Sequence, residues 1–216
     1  MGRDASEPQR CESLFRSLID HEGDADANAN DLLKCFFRGY PLDNLRELLR
    51  SDDPEVAKAG VWIASELGAR AKVLLDDVVP ILGNLLPYAR FFAIDAILGA
   101  NGDDAEAVAS VIRLVDDADS GVRWKVVQFL SRASRQQLEA AASLLEDPLA
   151  SALRRFLDDN EIKVLLESES GALRRLALAA AIRAAPTNLG ALRAVAASTD
   201  EEVSAWAVEE LEQRGN

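Results

Sequence analysis

The apolar residues of this chain return in a fixed register of 33 positions. Leu45, Leu48 and Leu49 stand before an acidic turn, and Val56, Gly60, Val61 and Ala64 follow it. One register later the same places hold Val78, Ile81, Leu82, Ala89, Ala93, Ile94 and Ile97. Another register on they hold Val111, Leu114, Val115, Val122, Val126, Val127 and Leu130. Every place stays apolar or small, and the places fall at i, i+3, i+4 in the first arm and i, i+4, i+5, i+8 in the second, the period of a helix face. A helix-turn-helix unit of this length cannot bury its own apolar face and must stack on its neighbours. The expected fold is therefore an all-α, right-handed α-solenoid of stacked helical hairpins, one domain over residues 1–216.

Residues 42–133 hold three regular repeats. The template returns at Ile162, Leu165, Leu166, Leu173, Ala177, Leu178 and Ala181, and again at Leu192, Val195, Ala196, Val203, Ala207, Val208 and Leu211. Residues 160–216 thus carry two more repeats, the last helix ending the stack with a polar face. Residues 134–159 form an irregular repeat. There Ser134 with Gln137 resembles a capping box, Asp147-Pro148 starts a helix and Asp158-Asp159-Asn160 interrupts it. Residues 1–41 read as an N-terminal cap. Residues 1–6 should fray, Ser6 should cap a helix with Pro8 in its first turn, and Gly23–Asn30 should be a polar loop. Leu32, Leu33, Phe36 and Phe37 should form a short second helix ended by Gly39-Tyr40-Pro41.

The turns carry their own signal. Asp53, Asp119, Ser170 and Asp200 precede the second helices, where a side-chain oxygen accepts a free backbone N–H. Pro54 and Pro87 follow at a position where the missing N–H costs nothing. Leu86 interrupts the capping column. The paired acids Asp52-Asp53, Asp76-Asp77, Asp103-Asp104, Asp116-Asp117 and Asp158-Asp159 read mostly as caps and first-turn acids, favoured by the helix dipole.

Composition removes several functions. The net charge is -13, spread evenly along the chain, and such a field repels phosphate backbones and favours basic partners. No nucleic-acid partner is expected. No apolar run is long enough for a transmembrane helix, and the first residues lack the apolar stretch of a secretory leader. The two cysteines, Cys11 and Cys35, read as reduced core thiols of a cytoplasmic protein. His21 is the sole histidine. A Ser-His-Asp or Cys-His centre would have to use it, and its acidic loop neighbourhood gives no support. The acids of residues 23–30 are spaced loosely like a calcium loop but lack its glycine and terminal glutamate. Phosphate loops and paired-cysteine metal sites are missing too. No cofactor and no metal are expected.

The segments DPEVAKAGVWIASEL, DSGVRWKVVQFL and SGALRRLALAAAI resemble HEAT repeats, with an acidic turn, a Val-Arg pair opening the second helix and then small and aliphatic residues. The resemblance covers residues 42–133 and 160–214. It implies a binding scaffold, the usual role of such proteins. Some relatives are enzymes or chaperones: alkyl-purine DNA glycosylases, deoxyhypusine hydroxylase and phycobilin lyases. The hydroxylase binds two irons through His-Glu pairs, which one histidine cannot supply. The glycosylase needs a basic groove, which an acidic chain does not offer, and nothing here identifies a tetrapyrrole pocket for a lyase. Some small bacterial members are immunity proteins, so a cognate inhibitor occluding a basic toxin is the alternative to a general protein-binding module. The expectation is a non-enzymatic module with a protein partner, a basic one being favoured by the charge. The oligomeric state stays open.

Two constellations are candidates for function. On the second helices, places opposite the core columns hold Lys58, Trp62 and Ser65, then Phe91, Asp95 and Leu98, then Trp124, Gln128 and Ser131. Large aromatics beside polar groups are what binding hot spots favour, which makes Lys58, Trp62, Phe91, Asp95, Trp124 and Gln128 partner-binding candidates. The bland alternative is that neighbouring repeats bury these rings. Arg90, Arg123 and Arg174 form a column one place after the first core position. They read as a structural ladder pairing with turn acids, or else as an anion site.

Overall fold

The computed structural model describes residues 7–100, 104–158 and 161–215. It divides into two compact units, Met1–Gly102 and Asp103–Asn216. The first contains α1 (Glu7–Ile19), α2 (Ala25–Phe37), α3 (Leu45–Leu49), α4 (Pro54–Glu66), α5 (Leu75–Val78) and α6 (Pro87–Gly99). The second contains α7 (Ala105–Arg113), α8 (Ser120–Arg132), α9 (Arg135–Ala142), α10 (Leu149–Phe156), α11 (Ile162–Leu166), α12 (Gly171–Ala184), α13 (Leu189–Ala196) and α14 (Glu201–Gly215). Among the described residues there is no strand. The chain is an all-α solenoid of stacked hairpins.

The helices begin where the capping residues stand. Asp53 accepts the N–H groups of Glu55 and Val56, Asp119 that of Val122 and Asp200 that of Val203. Ser170 occupies the same backbone position without a side-chain bond, and α6 starts in register at Pro87 although Leu86 has no oxygen to offer. A further column explains why. The residue two before each cap accepts the cap's own N–H: Ser51 for Asp53, Asn84 for Leu86, Asp117 for Asp119, Ser168 for Ser170 and Ser198 for Asp200. These local turns set the chain direction into each second helix before any packing occurs.

The apolar columns form the core. Leu45, Leu48, Val61, Ala64, Val78, Ala89, Ala93, Ile94, Val111, Val122, Val126, Val127 and Leu130 are fully buried. α4 packs against its hairpin partner α3 and lies between α2 and α6. In the second unit, α12 packs on α11, α8 and α14. The irregular segment is absorbed by α9 packing on α7 and α10 packing on α12. The Ser134–Gln137 capping box forms with both of its bonds. At Gly60, a Cβ would lie 2.8 Å from Leu48 Cβ and 3.1 Å from backbone atoms of Leu48 and Leu49, so the approach of α3 to α4 depends on the missing side chain. Gly60→Val should therefore cost about 1–3 kcal/mol, the scale of overpacking, read as a lower midpoint in urea. An unchanged midpoint would mean that the two helices do not approach this closely.

Three expectations need correction. Residues 23–30 are not a loop: α2 starts at Ala25, because Asp24 accepts the Ala27 N–H at 3.0 Å and caps it. The first arm of the second repeat is not a continuous helix, because Pro80 stands within it, where it has no N–H to donate. The arm is split into a 3-10 stretch Gly68–Leu74, the short α5 and a second 3-10 stretch Val79–Gly83. Cys11 and Cys35 are buried in the core, but they are joined to each other rather than reduced. That bond ties α1 to α2 and removes the thiol-based reason for placing the protein in a reducing compartment. The expectations for residues 1–6, Ser6, Asp103, Asp159 and Asn160 lie outside the described residues.

One acid does more than start a helix. Asp77 is 5% exposed and takes two guanidinium groups: Arg46 of α3 through Nη1, and Arg50, which ends α3, through Nε at 2.5 Å. Arg46 also donates to the Val73 carbonyl at 2.7 Å. A buried carboxylate held by two cations is stable only as a set, and this set fixes the split arm against α3.

Candidate functional site

In the first unit, α1, α2, α4 and α6 enclose a groove of about 440 Å³. That volume takes one or two side chains of a partner and is within the range of ligand sites. Its floor is apolar: Leu18, Ala29, Val56, Ala59, Trp62 and Phe92. Its rim is polar, with His21, Asp26, Asn30, Glu55 and Lys58, and Tyr88 stands 70% exposed at one end. The groove exists because α2 and α6 flank α4 while small residues (Ala25, Ala29 and Ala59) face one another there.

The rim is ordered by local bonds. His21 Nε2 lies 3.0 Å from Asp53 Oδ2, so the histidine leans on the cap of α4. The N–H groups of Glu55 and then Val56, with His21 as a lesser cause, hold the Asp53 carboxyl below its ordinary range. Lys58 Nζ lies 2.5 Å from Glu55 Oε2. Tyr88 and Phe92 stack with centroids 6.5 Å apart and planes at 27°, and Phe91 meets Phe92 edge-on at 5.6 Å.

The structure brings together some of the candidate residues and not others. Lys58 and Trp62 line the groove. Phe91 and Asp95, half-buried on α6, are outside its lining, and Tyr88 and Phe92 stand there instead. The groove runs along the flank where α4 meets α6, rotated from the side opposite the core. Tyr88 and Phe92 point to that flank from the places just before Ala89 and three after it. Trp124 and Gln128 belong to the second unit and are half-buried on α8. Trp124 packs on Trp206 of α14, ring centroids 5.2 Å apart.

The arginine column shares one geometry. Arg90, Arg123 and Arg174 each donate through Nη1 to the carbonyl six residues earlier, of Asn84, Asp117 and Ser168. Each ties its helix back to its own turn. Arg123 also pairs with Glu202 through Nη2 and Nε, and Arg174 pairs with Asp200 at 2.6 Å. The Glu202 pairing strengthens the hold of Arg123 on its proton. Burial opposes ionisation of Asp200, but the Val203 N–H and Arg174 outweigh it and keep the carboxyl below its usual range. Arg175, which the repeat register did not single out, bridges Glu202 at 2.9 Å and Asp116 at 2.7 Å.

The stacked hairpins and the flank groove define a helical-repeat protein. No protein-family model matches the sequence, and no curated protein does. Solved structures do match in fold. A designed armadillo repeat protein in complex with the peptide (KR)4 is 21% identical, with a TM-score of 0.55 over 96% of this chain and 99% of that one. A second designed armadillo repeat protein is 19% identical, with a TM-score of 0.53 over 96% and 99%. An engineered protein from structural genomics is 18% identical, with a TM-score of 0.50 over 97% and 93%. At these identities the likeness is one of fold.

Proposed function

We propose that this chain is a non-enzymatic protein-binding module built on HEAT-like hairpins, and that the groove between α2, α4 and α6 holds a segment of its partner. The observation that carries this is the groove's make-up. An apolar floor with a Trp is framed by polar groups and crosses three consecutive stacked helices, which is how a binding surface is organised. The (KR)4 complex of a designed armadillo protein is one example of a short peptide held by a fold of this kind. The test is selection from a random-peptide display library on the immobilised protein. Enriched peptides should lose affinity for the Trp62→Ala variant by about 30-fold, equivalent to about 2 kcal/mol and the scale of a hot-spot truncation, with the melting temperature little changed. Peptides that bind the variant and the native protein equally, or a library that yields none, would overturn the assignment.

A further inference from the structure

The groove holds more charge than a purely apolar segment would need. Asp26 and Glu55 line it together with His21, Lys58 and Tyr88, and the His21 ring is already engaged by Asp53. Residues 1–102 carry 17 Asp and Glu against 11 Lys and Arg. A neutral partner covering this rim would desolvate Asp26 and the Glu55–Lys58 pair while bringing no charge of its own to either, which is costly. The floor is suited to the opposite sign as well. Trp62, Tyr88 and Phe92 line the groove, and a cation beside an aromatic face is attracted by its quadrupole, most strongly by Trp. The chain also places an ammonium group at the rim: Lys58, whose side chain is 31% exposed, lines the groove and pairs with Glu55.

We propose that the groove receives a lysine or arginine side chain of the partner segment, and that Lys58 occupies the cation's place until the partner displaces it from Glu55. This rests on the binding-module reading and narrows it. Lys58 then sets a threshold. A partner must bring a cation able to compete for Glu55 and apolar neighbours able to cover Trp62. When Lys58 swings out, no bond is lost without replacement, because the incoming cation takes over the Glu55 contact and the lysine ammonium returns to water. A neutral segment gains the floor but leaves Lys58 on Glu55 and brings no charge to Asp26.

The experiment measures fluorescence anisotropy of labelled eight-residue peptides that alternate Lys, Gln or Glu with Leu. They are titrated with the full chain at low and at physiological salt. The Lys peptide should bind at least about tenfold tighter than the Gln peptide at low salt, and the Glu peptide should not bind, as opposite and like charges at a partly desolvated rim require. Glu55→Gln should weaken the Lys peptide and leave the Gln peptide alone. Lys58→Gln should tighten the Lys peptide about three- to fivefold, an effect of exposed-pair size that fades as salt rises. If Gln and Lys peptides bind alike and both are lost in Trp62→Ala, the cation is overturned and the module stands. If no peptide binds, both are overturned. If Trp62→Ala and Glu55→Gln leave the Lys peptide unchanged, it binds elsewhere and the proposal is overturned. If Lys58→Gln does not tighten the Lys peptide, Lys58 is not the place-holder.

Discussion

Val126→Asp lowers the melting temperature by about 10 °C or more, or leaves the second unit without a cooperative transition. Val126 is 0% exposed on α8, the helix that packs on α12. A carboxylate there has no partner and must be desolvated or protonated, and an isolated buried charge costs several kcal/mol. In a chain of this size each kcal/mol moves the midpoint by about 2–4 °C. Differential scanning calorimetry reads the shift directly. A midpoint within a degree of the native value would show that the apolar column is not the core.

The second large effect concerns the two cysteines. The native protein, unfolded without reductant, should show no titratable thiol, because Cys11 and Cys35 are bonded across a sequence separation of 24. Replacing both with Ala should lower stability by about 3 kcal/mol, the loop-closure entropy that a bond over this length removes from the unfolded chain. The loss should appear in α1 and α2, where amide hydrogen exchange should accelerate most. Two free thiols in the native protein would overturn the bond, and unchanged exchange in the double variant would show that it contributes nothing to holding the pair.

Much of this structure could be read from residue order, and the parts that could not have physical reasons. Caps and apolar columns are local properties, so Asp53, Asp119 and Asp200 mark their helices and Leu45 to Leu130 mark the core. The first part of α2 was hidden because Asp, Ala and Asn in alternation look like a loop until one knows that Asp24 is the cap. The Cys11–Cys35 bond depends on α1 lying beside α2, which brings the two Cα atoms to 5.9 Å. Nothing in the spacing states that distance. The role of Asp77 was masked because a first-turn acid and a buried carboxylate look alike in sequence. The column Ser51, Asn84, Asp117, Ser168 and Ser198 was visible at fixed spacing but spread over three residue types that share only an oxygen acceptor. The groove was legible in half. Trp62 and Lys58 lie on the stripe opposite the core, while Tyr88 and Phe92 lie on the flank, and which flank opens is decided by the small residues of α2 and α4.

The turns have a consequence for how such a chain can lengthen. In the hairpins of Arg90, Arg123 and Arg174, the connection is closed twice over, by the side chain two before the cap and by the arginine reaching back six residues. One added residue between the acceptor and the cap breaks both closures of that hairpin. The exposed link Pro186–Asn188 between α12 and α13 has neither closure, since Pro186, two before the Asn188 cap, has no side-chain acceptor. Insertions, tags or a new pair of termini belong there, so growth of the array by whole hairpins is permitted while growth within one is not.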